Sequence, residues 1–286
     1  MSKIELTRAA GIPVEIHEPR QSAEWPPEIE DLLRVHFLLS ASSYKLAKRC
    51  IRRWAYKEIC RKKEPSTTAT EFGSRGHEQA ERFLRDGIAP DIHTPEGRLV
   101  YESLPHLPRP GEAQVEVPFA FELDGAWFYG RIDGIQAQPS DRFTEGRLKF
   151  DHKFVGGLDF AETPESLCQD PAAVLYTLAP PVFEVTHLRW VYNLKKKRRD
   201  QQASNPVDAK LHVLDAIEFA KTHLVPAWRL LSGIRSLFAG QSPENALPIL
   251  DAVPCNPRDC MSFGRVCPHM SYCSRDNPGT LEESIQ

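Results

Sequence analysis

The chain has 286 residues, with 36 lysines and arginines against 39 aspartates and glutamates, which gives a formal net charge of −3. That length allows one large domain or two small ones, and a hydrophobic content of 41% is ordinary for a globular protein. The sequence shows no apolar run of membrane-spanning length and no signal-peptide pattern, so we expect a cytoplasmic protein without a membrane partner. The net charge gives no general argument for nucleic-acid binding, although residues 48–54, 61–63 and 195–199 are locally basic.

The N-terminal part predicts an irregular segment followed by a helix. Residues 1–38 are polar and rich in proline, which favours an irregular lead-in with a short helix near 27–34. The next stretch predicts a helix that Ser42 or Ser43 caps, because serine side chains satisfy the free amides of a first turn. Cys50 falls on this helix between basic residues, and a buried cysteine that packs as a small hydrophobe is the alternative to a ligand.

A second helix is predicted over residues 70–84, and its pattern ends at Gly87. Gly73 and Gly76 lower its helix propensity and would let another group approach the backbone closely. His77 follows directly, ahead of two strands that carry carboxylates. This order favours a metal-ligating histidine over a structural one.

The second half of the chain predicts strands interspersed with helices. Alternating apolar residues indicate a hairpin with a turn at 123–125, followed by a third and a fourth strand. A mixed α/β fold with a small central sheet fits this order of elements best. The predicted strands are 114–122, 127–132, 147–154 and 186–194. One helix is predicted over 167–178, and one or two helices, interrupted at Pro226, are predicted over 208–238.

Charged side chains fall at the ends of two of these strands. Asp133 closes the strand that returns from the hairpin, and Asp151 and Lys153 lie two residues apart on one face of the next strand. An Asp-Gly turn and a solvated strand face are the simpler explanations of each motif taken alone. Two carboxylates and an ammonium at adjacent strand ends suit a site that holds a divalent cation and a water beside a phosphate.

The C-terminal region contains four of the seven cysteines, which are Cys255, Cys260, Cys267 and Cys273. Such clustering in a cytoplasmic protein indicates metal or cluster ligation rather than disulfides. The spacings are less regular than the paired knuckles of a zinc ribbon, and proline beside a cysteine is compatible with an iron–sulfur site. Tetrahedral zinc stays open as the alternative.

Together these residues resemble the PD-(D/E)XK nucleases of the RecB-like type, with the closest likeness to the phage and CRISPR-associated exonucleases that carry an iron–sulfur cluster. The resemblance runs from about Leu39 to Cys273, which is most of the chain. The matching motifs are Ser40-Ala-Ser42 with Cys50, Trp54 and Tyr56, then Gly73 to His77, Gly130 to Asp133, Asp151 to Lys153, and Cys260, Cys267 and Cys273 near Phe-Gly and Cys-Pro pairs.

The resemblance implies an α/β, restriction-endonuclease-like core over residues 39–240. The lead-in over 1–38 would precede it, and a Cys-rich, cluster-binding tail over 241–286 would follow. The implied activity is that of a metal-dependent DNA nuclease, an exonuclease that hydrolyses phosphodiester bonds in single-stranded or end-containing DNA. Phage or bacterial recombination or repair would be its setting, with a recombination or CRISPR-adaptation protein as a partner.

The resemblance also assigns roles to single residues. The implied ligands of Mg²⁺ or Mn²⁺ are His77, Asp133, Asp151 and the backbone carbonyl of His152. Lys153 would hold the attacking water or stabilise the transition state, and Tyr176 belongs to the catalytic set. The implied ligands of a 4Fe-4S cluster are Cys50, Cys260, Cys267 and Cys273, and the implied contacts with single-stranded DNA are Arg53, Arg75, Trp54 and Tyr56.

The sequence departs from the family pattern at two places. Ala172 stands where the family has a glutamine ahead of the tyrosine, and Gln169 lies about one turn earlier. Cys255 is an extra cysteine that could replace Cys50 as the fourth cluster ligand. We favour Cys50, because a ring closed around the core would stabilise it.

Other classes of protein stay open. The departure at Ala172 leaves room for a catalytically silent DNA-binding partner that keeps the nuclease fold. A zinc-stabilised interaction protein is the second alternative, and metal content and colour would separate it from an iron–sulfur protein. A different enzyme on a similar α/β scaffold is the least favoured of them, because the sequence lacks a G-x4-G-K-[ST] loop and a G-x-S-x-G elbow.

Overall fold

The computed structural model describes residues 25–62, 64–140, 147–157, 159, 161–195, 204–241, 245, 248–264, 266–271, 273 and 278–285. The chain divides into two compact units, and each is built from several segments. Unit 1 consists of Met1–Pro65, Ala120–Gly130 and Ala220–Gln286, and unit 2 consists of Ser66–Phe119 and Arg131–Phe219. The domain boundaries inferred from the sequence stay predictions.

The secondary structure of the described residues mixes helices and strands along the whole chain. The helices are α1 (Pro27–Val35), α2 (Ala41–Arg49), α3 (Ile51–Glu58), α4 (Thr68–Asp86), α5 (Pro95–Ser103), α6 (Pro164–Leu167), α7 (Pro171–Leu178), α8 (Val213–Phe219), α9 (Val225–Leu237) and α10 (Leu281–Ser284). The strands are β1 (Leu38–Leu39), β2 (Gln114–Leu123), β3 (Ala126–Gln136), β4 (Leu148–Val155), β5 (Val185–Leu194) and β6 (Ser204–His212).

The protein has an α/β fold with a mixed six-stranded sheet and flanking helices, which confirms the predicted fold class. The strand order is β1-β3-β4-β5-β6, and β2 pairs with β3. The β1–β3 and β4–β5 pairs are parallel, whereas the β3–β4 and β5–β6 pairs are antiparallel. Asp124 and Gly125 both have positive φ, as a two-residue turn between β2 and β3 requires.

Strand β4 is the centre of unit 2, because both of its faces are covered. Leu148 and Phe150 pack on one face against Leu84 of α4, in a core that also contains Leu107 and Val191. The alternate residues face α7 instead, through side-chain contacts described below. A strand buried on both sides places its polar side chains in the interior, where each needs a partner.

The helix around Cys50 differs from the prediction. Ser40 caps α2, with its Oγ accepting a hydrogen bond from the backbone N–H of Ser43 at 3.1 Å, so the expected cap at Ser42 or Ser43 was wrong. Cys50 is extended, with φ −161° and ψ 113°, and separates α2 from α3. Its Sγ accepts from the N–H of Arg53 at 3.4 Å and caps α3, which explains why the chain breaks there.

Two further predictions need correction in unit 2. The helix predicted over 167–178 is divided, because Asp170 caps a new helix with Pro171 in its first turn. The helix predicted from residue 208 begins only at Val213, since the preceding residues form β6 on β5. The strand contains Pro206, and its position at the edge of the sheet tolerates the missing amide.

Candidate active site

The two aspartates singled out from the sequence are brought together where β3 and β4 meet in unit 2. The strands pair at Gly134–Phe150, Ile135–Lys149 and Gln136–Leu148. Asp133 and Asp151 are the residues directly beyond the first of these pairs. A Cβ on Gly134 would lie 1.8 Å from the Phe150 ring, so the Phe150 side chain requires glycine opposite it.

Helix α4 supplies the predicted histidine. His77 Nδ1 lies 3.2 Å from Oδ2 of Asp133, and the same oxygen accepts the backbone N–H of His152 at 2.8 Å. Gly76 allows this approach, because a Cβ there would lie 2.2 Å from the ring of Phe154 on β4. The small residue beside His77 therefore lets α4 lie close to the strand.

Asp151 is held from two sides. Its Oδ2 forms an ion pair with the Lys153 ammonium, and its Oδ1 accepts a hydrogen bond from the Tyr176 hydroxyl at 3.1 Å. The carboxylate is buried, at 5% exposure, whereas the Lys153 side chain is 35% exposed. Lys153 and His77, whose side chains are 35% and 37% exposed, are thus the parts of this cluster that a substrate could approach.

The two carboxylates have opposite pKa shifts. Burial opposes ionisation of Asp133, but the hydrogen bond and the charge of His77 outweigh it and lower the pKa of Asp133 to about 2. Burial raises the pKa of Asp151, and the neighbouring charge of Asp133 adds to this effect, although Lys153 opposes it. Perturbed pairs of this kind are characteristic of functional sites.

The pKa values of the cationic groups, His77 and Lys153, are raised. Burial works against the charged form of His77, but Asp133 and Asp151 raise its pKa. Burial acts in the same way on Lys153, and the two aspartates raise its pKa above the ordinary value. Lys153 therefore stays charged at neutral pH.

His152 lies between Asp151 and Lys153 on β4, and its ring is buried. Burial lowers the pKa of the imidazole to about 4, so the ring is neutral near pH 7. Its backbone N–H is the group that contacts Asp133. The role of its carbonyl as a metal ligand stays a prediction.

Helix α7 supplies Tyr176, whose hydroxyl contacts Asp151. Burial raises the pKa of Tyr176, and Asp151 and Asp133 raise it further, so the hydroxyl keeps its proton and acts as a donor. Ala172 lies one helical turn earlier on the same face of α7. Gln169 is exposed and precedes the helix.

Sequence reasoning missed Glu116 on β2. Its φ is +50°, a region that side chains other than glycine rarely adopt, and its Oε2 lies 4.0 Å from Nη1 of Arg131. Burial raises the pKa of Glu116 to about 7, and Asp133 and Glu81 contribute in the same direction. The alternating pattern of β2 marks Glu116 only as a polar residue, and a positive φ leaves no trace in the sequence.

Sequence reasoning also missed Lys149, which is fully buried on β4. Its Nζ donates to the backbone carbonyls of Tyr176, Ala179 and Pro181 at 2.6, 2.7 and 2.9 Å. Burial lowers the pKa of Lys149 to about 7, whereas three carbonyl acceptors favour the ammonium form. A lysine between Leu148 and Phe150 in an apolar strand was the available signal.

The predicted cluster cysteines lie in unit 1 and form no disulfides, and their charges influence one another. Burial raises the pKa of Cys255, and the neighbouring Cys273, Cys50 and Cys260 raise it further. Burial likewise raises the pKa of Cys267, with Cys260 and Cys50 adding to it. The upstream cysteine and the C-terminal cysteines therefore form one neighbourhood.

Two arginines of α3 connect to this neighbourhood. Arg52 is fully buried and donates to Cys273 Sγ at 3.7 Å and to the carbonyls of Val253 and Asp251 at 2.8 and 2.9 Å. Arg53 forms ion pairs with Glu64 and Asp259. Burial raises the pKa of Cys255 and of Cys267, and the charges of Arg52 and Arg53 respectively oppose that rise. Thiolates are the form that binds metal, so the two arginines act in the direction that metal binding needs.

The structure contradicts the predicted stacking of the two aromatic rings on DNA, and the predicted contacts of the two arginines stay predictions. Trp54 and Tyr56 are buried, and Trp54 donates from Nε1 to Ser43 Oγ at 2.8 Å, so stacking of these rings on DNA bases was wrong. Arg53 is engaged by carboxylates. Arg75 is more than half exposed and pairs with Glu96 in unit 2.

The donor chemistry of both clusters fits the metals that the resemblance implies. Asp133, Asp151 and His77 offer oxygen and imidazole ligands suited to Mg²⁺ or Mn²⁺, and four thiols suit a cluster or zinc. Within the described ranges, no group of three or more His, Cys, Asp or Glu side chains is arranged to hold a metal ion. His77 and Lys153 now contact the carboxylates directly, so a bound cation would have to share or replace those contacts.

Comparisons with known proteins add little to this description. Neither a protein-family model nor a curated protein matches the chain. One solved structure, described as the crystal structure of SSO0001, is similar at a TM-score of 0.30 and 15% identity, over 70% of this chain and 87% of that chain. In the described part of the chain, no helix has the length and apolar character needed to cross a membrane.

Proposed function

We propose that this chain is a metal-dependent deoxyribonuclease of the PD-(D/E)XK type, with a restriction-endonuclease-like core and RecB-like motifs. The observation that carries the proposal is the position of Asp133 and Asp151, which lie side by side just beyond the last paired residues of β3 and β4. Each carboxylate contacts a cationic side chain, His77 or Lys153. Buried carboxylates of this kind are costly in a merely structural role.

The proposed roles follow from the contacts of each side chain. Asp133, Asp151 and His77 would hold Mg²⁺ or Mn²⁺, which when bound would acidify a water and neutralise charge on a phosphate. Lys153 is charged and partly exposed, so its ammonium can stabilise the negative charge that develops on the phosphate. The Tyr176 hydroxyl fixes the orientation of Asp151 by donating to its Oδ1.

The cysteines of unit 1 complete the proposal as a structural cluster site. Cys50, Cys260, Cys267 and Cys273 would bind a 4Fe-4S cluster, with zinc as the second choice for the same thiols. DNA is the proposed partner, and a recombination or CRISPR-adaptation protein is proposed as a second one. Recombination or repair in a bacterial cytoplasm would be the setting.

The test is cleavage of end-labelled DNA by anaerobically purified protein. Single-stranded and duplex substrates are incubated with Mn²⁺, Mg²⁺ or EDTA, using the native chain and the variants Asp133→Asn, Asp151→Asn and Lys153→Met. Asp215→Asn and Lys210→Met are the matched controls, since they make the same chemical changes at exposed positions of unit 2. We expect metal-dependent cleavage that the three site variants lose and the two controls keep.

Two results would contradict the proposal. Native turnover by folded Asp151→Asn would remove this carboxylate from the mechanism. DNA binding without cleavage by folded, metal-loaded native protein would favour the catalytically silent DNA-binding partner, for which Ala172 already leaves room.

A further inference from the structure

Lys149 makes a complete set of hydrogen bonds inside unit 2. Its side chain has no exposed surface, and its Nζ donates to the carbonyls of Tyr176, Ala179 and Pro181. An ammonium has three protons, so three acceptors between 2.6 and 2.9 Å satisfy it fully. The three acceptors match the three protons of an ammonium. Because the side chain is fully buried, Lys149 cannot contact a substrate from solvent.

The three acceptors lie at the end of α7 and in the segment that follows. Carbonyls in the last turn of a helix have no partner within the helix, and a cation near them interacts favourably with the helix dipole. Ala179 is the C-cap residue of α7, and Tyr176 belongs to its last turn. Lys149 therefore caps α7 from the neighbouring strand.

The same helix end carries the hydroxyl that contacts the candidate active site. Tyr176 accepts from Lys149 through its backbone carbonyl and donates to Asp151 through its hydroxyl. Lys149 and Asp151 are two residues apart on β4, so their side chains leave the same face of the strand. Strand β4 thus contacts Tyr176 at its backbone carbonyl and at its side-chain hydroxyl.

We propose that Lys149 is a positioning residue that fixes the Tyr176 hydroxyl and, through it, the carboxylate of Asp151. Only the expected effect of Lys149 on the rate of cleavage rests on the proposed nuclease function. The placement of Tyr176 by Lys149 is a property of the fold and can be measured without activity. A lysine that served stability alone would change the free energy of unfolding and leave the Tyr176 hydroxyl in place.

The first experiment is a double-mutant cycle on cleavage. Lys149→Met removes the ammonium at similar length, and Tyr176→Phe removes the hydroxyl through which it would act. We expect kcat to fall about tenfold in Lys149→Met with little change in KM, and to change less than about twofold when Lys149→Met is added to Tyr176→Phe. Equal losses in both backgrounds would show that Lys149 does not act through Tyr176.

The second experiment reads the position of Tyr176 directly. The chain is labelled with 3-fluorotyrosine, and the ¹⁹F resonance of Tyr176 is assigned by its loss in Tyr176→Phe. We expect Lys149→Met to shift or broaden that resonance and to leave the other tyrosine resonances unchanged. Lys210→Met, an exposed lysine of β6, is the matched control and should leave all of them in place.

Lys149→Gln keeps both experiments informative where Lys149→Met does not fold, because its amide retains two N–H donors. An unchanged Tyr176 resonance in a folded Lys149 variant would overturn the proposal. A changed resonance together with no cleavage by the native chain would support the placement and contradict the nuclease function instead. The two failures are therefore distinguishable.

Discussion

Nδ1 of His77 on α4 lies 3.2 Å from Oδ2 of Asp133 on β3, so a helix and a strand of unit 2 share one charged pair. The histidine side chain is 37% exposed and the aspartate 14%. The pair shifts both pKa values toward the ionised forms, down for Asp133 and up for His77. A shared pair of this type makes stability depend on pH.

The pair predicts a window of highest stability for metal-free protein. The contribution of Asp133 is present above its ordinary pKa of 3.8 and is lost as the pH falls toward about 2, and it amounts to about 2 kcal/mol. The contribution of His77 is present below its ordinary pKa of 6.5 and is lost as the pH rises through its raised value. The pair should therefore stabilise the fold most between these limits.

Urea unfolding of EDTA-treated protein measures this window. His77→Gln should reduce the free energy of unfolding more near pH 5.5 than near pH 8.5, because the native pair is fully charged only at the lower pH. His93→Gln, at an exposed histidine, is the matched control and should have the same small effect at both. A loss in His77→Gln that is independent of pH would contradict the charged pair.

The raised pKa of Glu116 predicts that replacing it with glutamine increases the free energy of unfolding. Its folded pKa of about 7 lies above the ordinary 4.5, so the unfolded chain releases this proton more readily and stability falls as the pH rises through that interval. Glu116→Gln removes the cost, and we expect about 1 to 2 kcal/mol of added stability at pH 8, reduced for the 30% exposure of the side chain. The gain should vanish near pH 4.

Thermal unfolding at both pH values measures the Glu116 effect, with Glu122→Gln as the control at an exposed position of the same strand. Destabilisation of Glu116→Gln at pH 8 would show that the carboxylate is favourably held, and the stated origin of its pKa would be wrong.

The contact of Gly134 with Phe150 predicts a steric effect. Gly134→Ala should destabilise the protein by about 2 to 3 kcal/mol, because Phe150 is fully buried and cannot move away from a new methyl group. Phe150→Leu shortens the opposing side chain, so the double variant should be more stable than Gly134→Ala alone. Gly73→Ala is the control, since its Cβ meets nothing within 4 Å and alanine favours the helix by about 1 kcal/mol.

Denaturant unfolding of the native chain, Gly134→Ala, the double variant and Gly73→Ala measures this contact. Equal losses of unfolding free energy in Gly134→Ala and in the double variant would show that the new methyl group does not clash with the Phe150 ring.

The sequence predicted the elements whose patterns are local. The periodicity of α4 and the alternation around the 123–125 turn depend on neighbouring residues, and both were predicted with nearly correct limits. Strand β6 was missed because its stability comes from pairing with β5, and a proline within it argued against a strand. Tertiary pairing overrode local preference there.

The site shows the same division. His77, Asp133, Asp151 and Lys153 could be singled out because their motifs are short and their spacing is fixed. Glu116 and Lys149 could not, since their roles depend on a positive φ and on three carbonyls contributed by a distant helix end. The burial of Trp54 also depends on tertiary packing, so the sequence could not show that its ring is inaccessible to DNA bases.

The cysteines give the last prediction, which concerns metal content. Cys50 Sγ already accepts backbone N–H groups from Arg53 and Asn256, each at 3.4 Å, and hydrogen bonds to sulfur are a feature of iron–sulfur sites. Burial raises the pKa of Cys60, and Lys62 opposes this effect. Cys60 is the matched control, because it is a buried thiol that does not belong to the proposed ligand set.

Anaerobically purified protein should contain about four irons per chain, or one zinc if the alternative holds, by elemental analysis. Cys50→Ser and Cys260→Ser should lose the metal, because each removes a thiolate that four-fold ligation needs, while Cys255→Ser and Cys60→Ser should keep it. Loss in Cys255→Ser with retention in Cys50→Ser would move the fourth ligand into the C-terminal segment. Folded, metal-free native protein would contradict the cluster itself and leave the thiols with a structural role, since buried cysteines pack well as small hydrophobes.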